Sequence, residues 1–259
     1  MGSVKIGEDG FITGGKIRRK TTHTLPRKNG SIEAPFQISR GRLTHVIRGI
    51  VVHQTNTLTA DKTFTGYTGL KANGAHFLID IDGTIYQTAS LFDQANHVGA
   101  IKARCLYEMT CPKVELEAGL KDWNERPWLN KGTERSHNNE KGKAFPIRFP
   151  KNEDSIGIEC QGMAWIYNKN GEKAEDQNQN RKLLAGEYYD FDPLTIEQKE
   201  SLKWLILFLS EKLSVPFTEI YRHPEIAFKE RAEAISAKDL IESLRKEAAR
   251  AQAEAETTQ

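Results

Sequence analysis

Two rhythms of apolar and polar positions run along this chain. Val46-Ile47-Arg48-Gly49-Ile50-Val51-Val52 is a β-branched run of strand length, and it delivers His53 at its C-terminal end. Phe77 to Ile81 and Thr84 to Ala89 are strand-like runs around Asp82-Gly83, a pair that favours a tight turn, so a hairpin is predicted there. Ser155-Ile156-Gly157-Ile158-Glu159-Cys160 reads as a buried strand carrying one acid. The rhythm changes at Thr195-Ile196-Glu197-Gln198, a capping box that opens a helix with Leu202, Leu205, Ile206, Leu209 and Leu213 on its apolar face. A short run from Phe217 to Tyr221 then leads into Arg222-His223-Pro224. Strands interleaved with helices predict an α/β fold built on a single mixed β-sheet flanked by helices.

Other stretches carry no sustained period. Residues 1–45, rich in Gly, Thr, Lys and Arg, read as an irregular arm, and the Thr-rich residues 55–68 as loop and short helix. Residues 101–152 hold Pro112, Pro127, Pro146 and Pro150, both Trp123 and Trp128, and many charges, which predicts a long surface insertion. The two tryptophans either line a groove by stacking or form a small local core. A polar stretch from Asn168 to Asn180 separates the last buried strand from the capped helix. Leu240, Ile241 and Leu244 start a helical tail over 237–259. The expected organisation is an arm over 1–45, a domain over 46–236 with its insertion at 101–152, and the tail.

Composition limits the function classes. With 37 basic and 35 acidic residues in 259, the net charge of +2 excludes a polyelectrolyte, and 38% hydrophobic residues supply a core. No apolar run reaches the roughly 18 to 20 residues of a membrane span, and the first 30 residues lack the apolar segment of a cleaved secretory signal. The balance hides an asymmetry: residues 1–48 hold ten basic groups against three acidic ones, a net of +7 that leaves −5 for the rest. Such a basic arm is either simply solvated or meets an anionic polymer. No aromatic residue interleaves Arg18 to Lys28, which argues against nucleic acid. Three cysteines are too few for a disulfide framework, and a Cys105 to Cys111 bridge stays open. Asp80-Ile81-Asp82-Gly83 lacks the downstream glutamate of a calcium loop, so it is read as the hairpin turn.

The candidate chemistry lies at strand ends. His53 and His223 both emerge from strand-like runs, and Pro224 turns the chain after the second. Two such histidines can share a cation, with Glu225, Glu230 and Glu233 as nearby third ligands; a single strand-end histidine taken alone is more often structural. Glu159 sits among apolar residues, where a carboxylate is costly unless it has a purpose. A general base is one such purpose; facing solvent on an edge strand or pairing with an arginine is the alternative.

Taken together, Ile50-Val51-Val52-His53-Gln54-Thr55, Gly74-Ala75-His76-Phe77-Leu78-Ile79 with Asp82-Gly83-Thr84-Ile85-Tyr86-Gln87, Asn96-His97-Val98-Gly99, Ser155 to Glu159, Leu194 to Gln198 and Arg222-His223-Pro224-Glu225-Ile226-Ala227 resemble the zinc-dependent N-acetylmuramoyl-L-alanine amidases of the AmpD and peptidoglycan-recognition-protein type. The resemblance spans residues 47–100 and 153–235 and leaves out the arm, the insertion and the tail. It implies a Zn2+ ion held by His53, His223 and a third ligand. Glu233 stands where the AmpD branch has an aspartate, and Glu225 and Glu230 stay open as alternatives. It further implies Glu159 as the catalytic acid and base, Arg231 in place of the lysine that stabilises the oxyanion, and His97 with Asn96 at the substrate. His76 falls in a supporting or structural place.

The implied activity is hydrolysis of the amide between N-acetylmuramic acid and the L-alanine of the stem peptide. Peptidoglycan or muropeptides are then the binding partners, and an immunity or delivery protein is an open question. The resemblance leaves three readings: a cell-wall lytic amidase that reaches the wall by a non-classical route, a cytosolic amidase recycling anhydromuropeptides, and a non-catalytic peptidoglycan-binding module.

Overall fold

The structure is a computed structural model that describes residues 4–124, 131–168, 170–175 and 188–257. Six strands form the central sheet: β1 (Ile17–Arg19), β2 (Gly49–Gln54), β3 (Phe77–Ile79), β4 (Ile85–Gln87), β5 (Ser155–Cys160) and β6 (Ile220–Arg222). Their spatial order is β6-β2-β5-β3-β4-β1. Strands β6, β2, β5 and β3 run parallel, β3 and β4 pair antiparallel, and β1 lies parallel to β4, so the sheet is mixed. Helices α1 (Ala60–Tyr67), α2 (Ile196–Leu213) and α3 (Lys238–Thr257) flank it.

Side chains alternate between the two faces of a strand, which sorts the core. Ile50 and Val52 of β2, Phe77 and Ile79 of β3, Ile156, Ile158 and Cys160 of β5, and Ile220 of β6 belong to one cluster with Leu202, Leu205, Ile206 and Leu209 of α2 and Ile241 and Leu244 of α3. The intervening positions form the opposite layer: Val51 and Tyr221 pack with Ile101 and Phe149, and Leu78 packs with Ile38 and with Phe64 and Tyr67 of α1. Each fully buried apolar side chain contributes about 1.5–3 kcal/mol. The same alternation places His53, Gly157, Glu159 and His223 on this second face, toward the C-terminal ends of the parallel strands.

The predicted hairpin and capped helix form and meet one another. Strands β3 and β4 flank Asp82-Gly83, where Gly83 has a φ of 78° and a Cβ would lie 2.8 Å from the Glu197 carbonyl oxygen. Glycine is required there for both conformation and contact. Thr195 caps α2 through a reciprocal box with Gln198, and its hydroxyl donates to the Ile81 carbonyl at 2.8 Å.

Residues 1–45, for which the sequence predicts an irregular arm, are built into the fold where they are described. Lys5–Ile6 pairs with Ile12–Thr13, β1 adds an edge to the central sheet, Thr22–Arg27 pairs with Gly30–Pro35, and Ser39–Arg42 pairs with Asp93–Ala95. These strands are mostly solvent-facing, so their side chains lack an apolar alternation. A few anchors hold them: Phe11, Ile12 and Ile38 are buried, and the Gln87 amide accepts from the Ile12 N–H at 2.8 Å and donates to the Gly10 carbonyl at 2.9 Å.

The insertion is helical, over Arg104–Glu108, Lys113–Asn124 and Lys131–Lys141, and a disulfide joins Cys105 to Cys111. Arg104 ties it to the central sheet through two hydrogen bonds, of 2.8 and 3.1 Å, to the Glu219 carboxylate just before β6. The side chain of Trp123 and all of Trp128 lie outside the described residues, so both expectations for them stand as stated. A small antiparallel sheet of Ala164–Tyr167, Lys173–Glu175 and Tyr188–Phe191 occupies part of the polar region after β5 and has no counterpart in the sequence reading. Among the described residues no helix is long and apolar enough to cross a membrane.

Candidate metal centre

Strands β2 and β5 are parallel neighbours whose register sets Glu159 opposite His53. Strand β6 pairs with the other edge of β2 and ends at Arg222, so His223 opens a one-turn helix, His223–Ile226, beside His53 with the ring centres 4.1 Å apart. The chain then folds back. The Arg222 guanidinium reaches the carbonyls of Arg231 and Glu233, both at 3.4 Å, and this loop returns Glu233 to the histidines. Glu233 Oε1 lies 2.9 Å from His223 Nδ1 and 3.5 Å from His53 Nδ1. All three side chains are buried, and one ligand atom from each falls within 4.8 Å of the others.

This geometry fits a cation. Bonds of 2.0–2.2 Å in a tetrahedron set neighbouring ligand atoms about 3.4 Å apart, and the two observed spacings bracket that value. His223 Nε2 lies 2.8 Å from the Val98 carbonyl, which can only accept, so Nε2 carries a proton and Nδ1 is the nitrogen that a metal would take. Electrostatics agree. Burial alone would raise the Glu233 carboxyl, yet the charge and hydrogen bond of His223 hold it well below the usual carboxylate range. Burial, followed by the field of His223, lowers His53 to about 3.

Glu159 is tuned the opposite way. Burial, then repulsion from Glu233, raises its pKa from 4.5 to about 7, with Lys229 partly offsetting the rise. A carboxylate poised there exchanges protons near neutral pH.

The other expected residues are placed as follows. Glu225 accepts from the Arg222 backbone at 2.8 Å and lies 3.4 Å from Arg245, while Glu230 accepts from the Arg231 backbone at 3.1 Å; neither belongs to the cluster with both histidines. His97 is only 8% exposed, and its ring contacts His53 at 3.0 Å and Ser155 at 3.2 Å, pointing inward. Asn96 is partly buried and accepts from Asn152 at 3.5 Å. His76 braces the sheet, accepting from the Gly157 N–H at 3.1 Å while its other nitrogen meets the Asp93 carbonyl at 2.8 Å. Arg231 is exposed, and its charge acts on Lys102 and Glu230. The cation that acts on both His53 and Glu159 is Lys229, which sequence reasoning missed. Asn152 was equally unmarked: its side-chain oxygen accepts from the backbone of His97 and Val98, at 3.0 and 2.8 Å, and so sets the loop beside the histidines. No periodic signal distinguishes either residue, since each lies in an irregular segment.

A sequence profile of N-acetylmuramoyl-L-alanine amidases matches residues 43–234, well over half of the chain. The chain belongs to the N-acetylmuramoyl-L-alanine amidase family. All three residues of the metal cluster and Glu159 fall inside the amidase match. No curated protein sequence matches the chain. Among solved structures, it is similar to the catalytic domain of XlyA (14% identity, covering 89% of this chain and 97% of that one, TM-score 0.43). It is also similar to the N-acetylmuramoyl-L-alanine amidase LysC from Clostridium intestinale (16% identity, 85% and 89% covered, TM-score 0.37) and to a selenomethionine derivative of AmpD (15% identity, 85% and 87% covered, TM-score 0.40). With every score below 0.5, the amidase assignment rests on the profile match and not on these likenesses.

Proposed function

We propose that this amidase is a zinc hydrolase that cleaves the amide joining N-acetylmuramic acid to the L-alanine of the peptidoglycan stem. The observation that carries the proposal is the convergence of His53, His223 and Glu233 beside a carboxyl, Glu159, raised to about 7. Two imidazoles and one carboxylate make a donor set suited to catalytic zinc, which when bound would polarise the amide carbonyl and lower the pKa of the attacking water. Glu159 takes the proton from that water and hands it to the departing alanine nitrogen. Its environment suits both halves of the exchange, because a group with a pKa near 7 accepts and releases a proton at little cost.

Negative charge gathers on the amide oxygen as water adds. A fixed cation beside it favours that state over the ground state. Lys229 is the better placed by its field on Glu159 and His53, and Arg231 is the alternative. Asn96, partly exposed, remains the proposed substrate contact, whereas the inward contacts of His97 favour a supporting role.

The polymeric wall is the proposed substrate, in preference to recycled fragments. The Cys105–Cys111 disulfide supports action in an oxidising compartment, and the helical insertion adds surface beside the domain. Glu159→Gln should abolish turnover of intact sacculi with zinc content unchanged by elemental analysis. Near-normal turnover by that variant would overturn the assignment of Glu159. Equal or faster cleavage of soluble muropeptide by the wild-type protein would favour the recycling reading.

A further inference from the structure

His97 sits one layer behind the candidate metal ligands, and its surroundings determine where protons reside. The Lys151 carbonyl can only accept, and the Ser155 hydroxyl lies 2.7 Å from it, so Ser155 spends its proton there. The Ser155 oxygen is then an acceptor toward His97 Nε2 at 3.2 Å, and the Ser155 carbonyl, 3.4 Å from the same nitrogen, is another. His97 Nε2 must therefore carry a proton. The ring is buried, and its described ring contacts are His53, His76 and Ser155, none of them acidic. An imidazole so enclosed is neutral, which leaves Nδ1 bare. His53 Nε2, 3.0 Å away, faces that bare nitrogen and must donate to it.

We propose that His97 is a positioning residue: through the chain Lys151 carbonyl, Ser155 hydroxyl, His97 and His53, it places the His53 proton on Nε2 and turns Nδ1 toward Glu233. The proposal rests on the metal assignment above. Two unrelated devices then reach one outcome, since the Val98 carbonyl fixes His223 in the same tautomer directly. The ring is seated firmly enough for this. A Cβ on Gly157 would lie 2.7 Å from His97 Cγ, so the imidazole rests directly on β5, while Asn152 fixes its backbone. Outer partners of this kind typically govern metal affinity by 10–100-fold.

Zinc affinity of the full-length protein, measured by competition with a chromogenic chelator, tests the proposal through two variants. His97→Phe keeps a ring but has no acceptor, and should weaken zinc about 10–100-fold. His97→Asn sets an amide oxygen where Nδ1 stood, and should recover most of that loss. Nitrogen-15 NMR of the metal-free wild-type protein should show His53 protonated on Nε2. Unchanged affinity in His97→Phe, equal losses in both variants, or a proton on His53 Nδ1 would each overturn the proposal. Failure of the wild-type protein to bind zinc would contradict the metal assignment instead, and the NMR measurement would still decide the tautomer, as it would if His97→Phe did not fold.

Discussion

Glu159 and Glu233 are the same residue type a short distance apart, and their environments drive them in opposite directions. Glu233 is held ionised by His223, whereas Glu159 has burial and the charge of Glu233 against it and rises from 4.5 to about 7. As a base Glu159 must be deprotonated, so kcat/KM should fall as pH drops through its pKa. A cation in the cluster would offset the repulsion from Glu233 but not the burial. The acidic limb of the pH profile is therefore expected above 4.5 and no higher than about 7; a limb at or below 4.5 would show that another group sets it. The two neighbouring cations separate by substitution. If Lys229 faces the developing oxyanion, Lys229→Ala should lower kcat by about 10²–10³, the usual cost of losing one such donor, while Arg231→Ala changes it little. The opposite ranking, read from steady-state kinetics on one substrate, would return the role to Arg231.

At the level of the element, strand register is what assembles the site. Glu159 faces His53 because β2 and β5 pair in parallel from Ser155 and Gly49 onward. Gly157 leaves the space into which His97 fits, with a Cβ there 2.7 Å from His97 Cγ and 3.0 Å from Ala75 Cβ. Gly157→Ala should thus cost about 1–3 kcal/mol in denaturant unfolding, the usual penalty for overpacking; a neutral result would mean that the ring is not seated there. These strands were legible in the sequence because β2 and β5 carry continuous apolar runs, and the capping box at Thr195 marks the start of α2 without tertiary help. From the residues alone Glu233 was legible only as one of three acids, and the family resemblance singled it out. It reaches His223 through an irregular turn held by Arg222, and no period of 2 or 3.6 encodes such a turn. Strand β1 and the hairpin Thr22–Arg27 with Gly30–Pro35 escaped notice for a related reason, since their side chains are mostly exposed or half-buried and a strand that buries no face carries no apolar alternation.

For the molecule as a whole, the concentration of positive charge before residue 49 has a structural explanation. Arg19 pairs with Asp9 at 2.6 Å and lies 3.7 Å from the centre of the Phe11 ring, Arg40 donates to the Gln37 and Ala72 carbonyls, and Arg42 lies 3.3 Å from Asp93. Arg40 and Arg42 thus fasten the N-terminal strands to the amidase body and Arg19 braces the N-terminal segment itself, which lessens the need for an anionic polymer to account for these charges. The insertion is fastened too, by Arg104 on Glu219 at the foot of β6, so both additions meet the sheet that carries the site. Zinc-dependent cleavage between sugar and stem is the central assignment. Mass spectrometry of purified sacculi digested by the protein after chelation, and again after zinc is restored, tests it most directly. Stem peptides with a free L-alanine amino terminus should be absent with chelator and return with zinc; undiminished release from the metal-free protein, or products cut within the glycan strand instead, would contradict it.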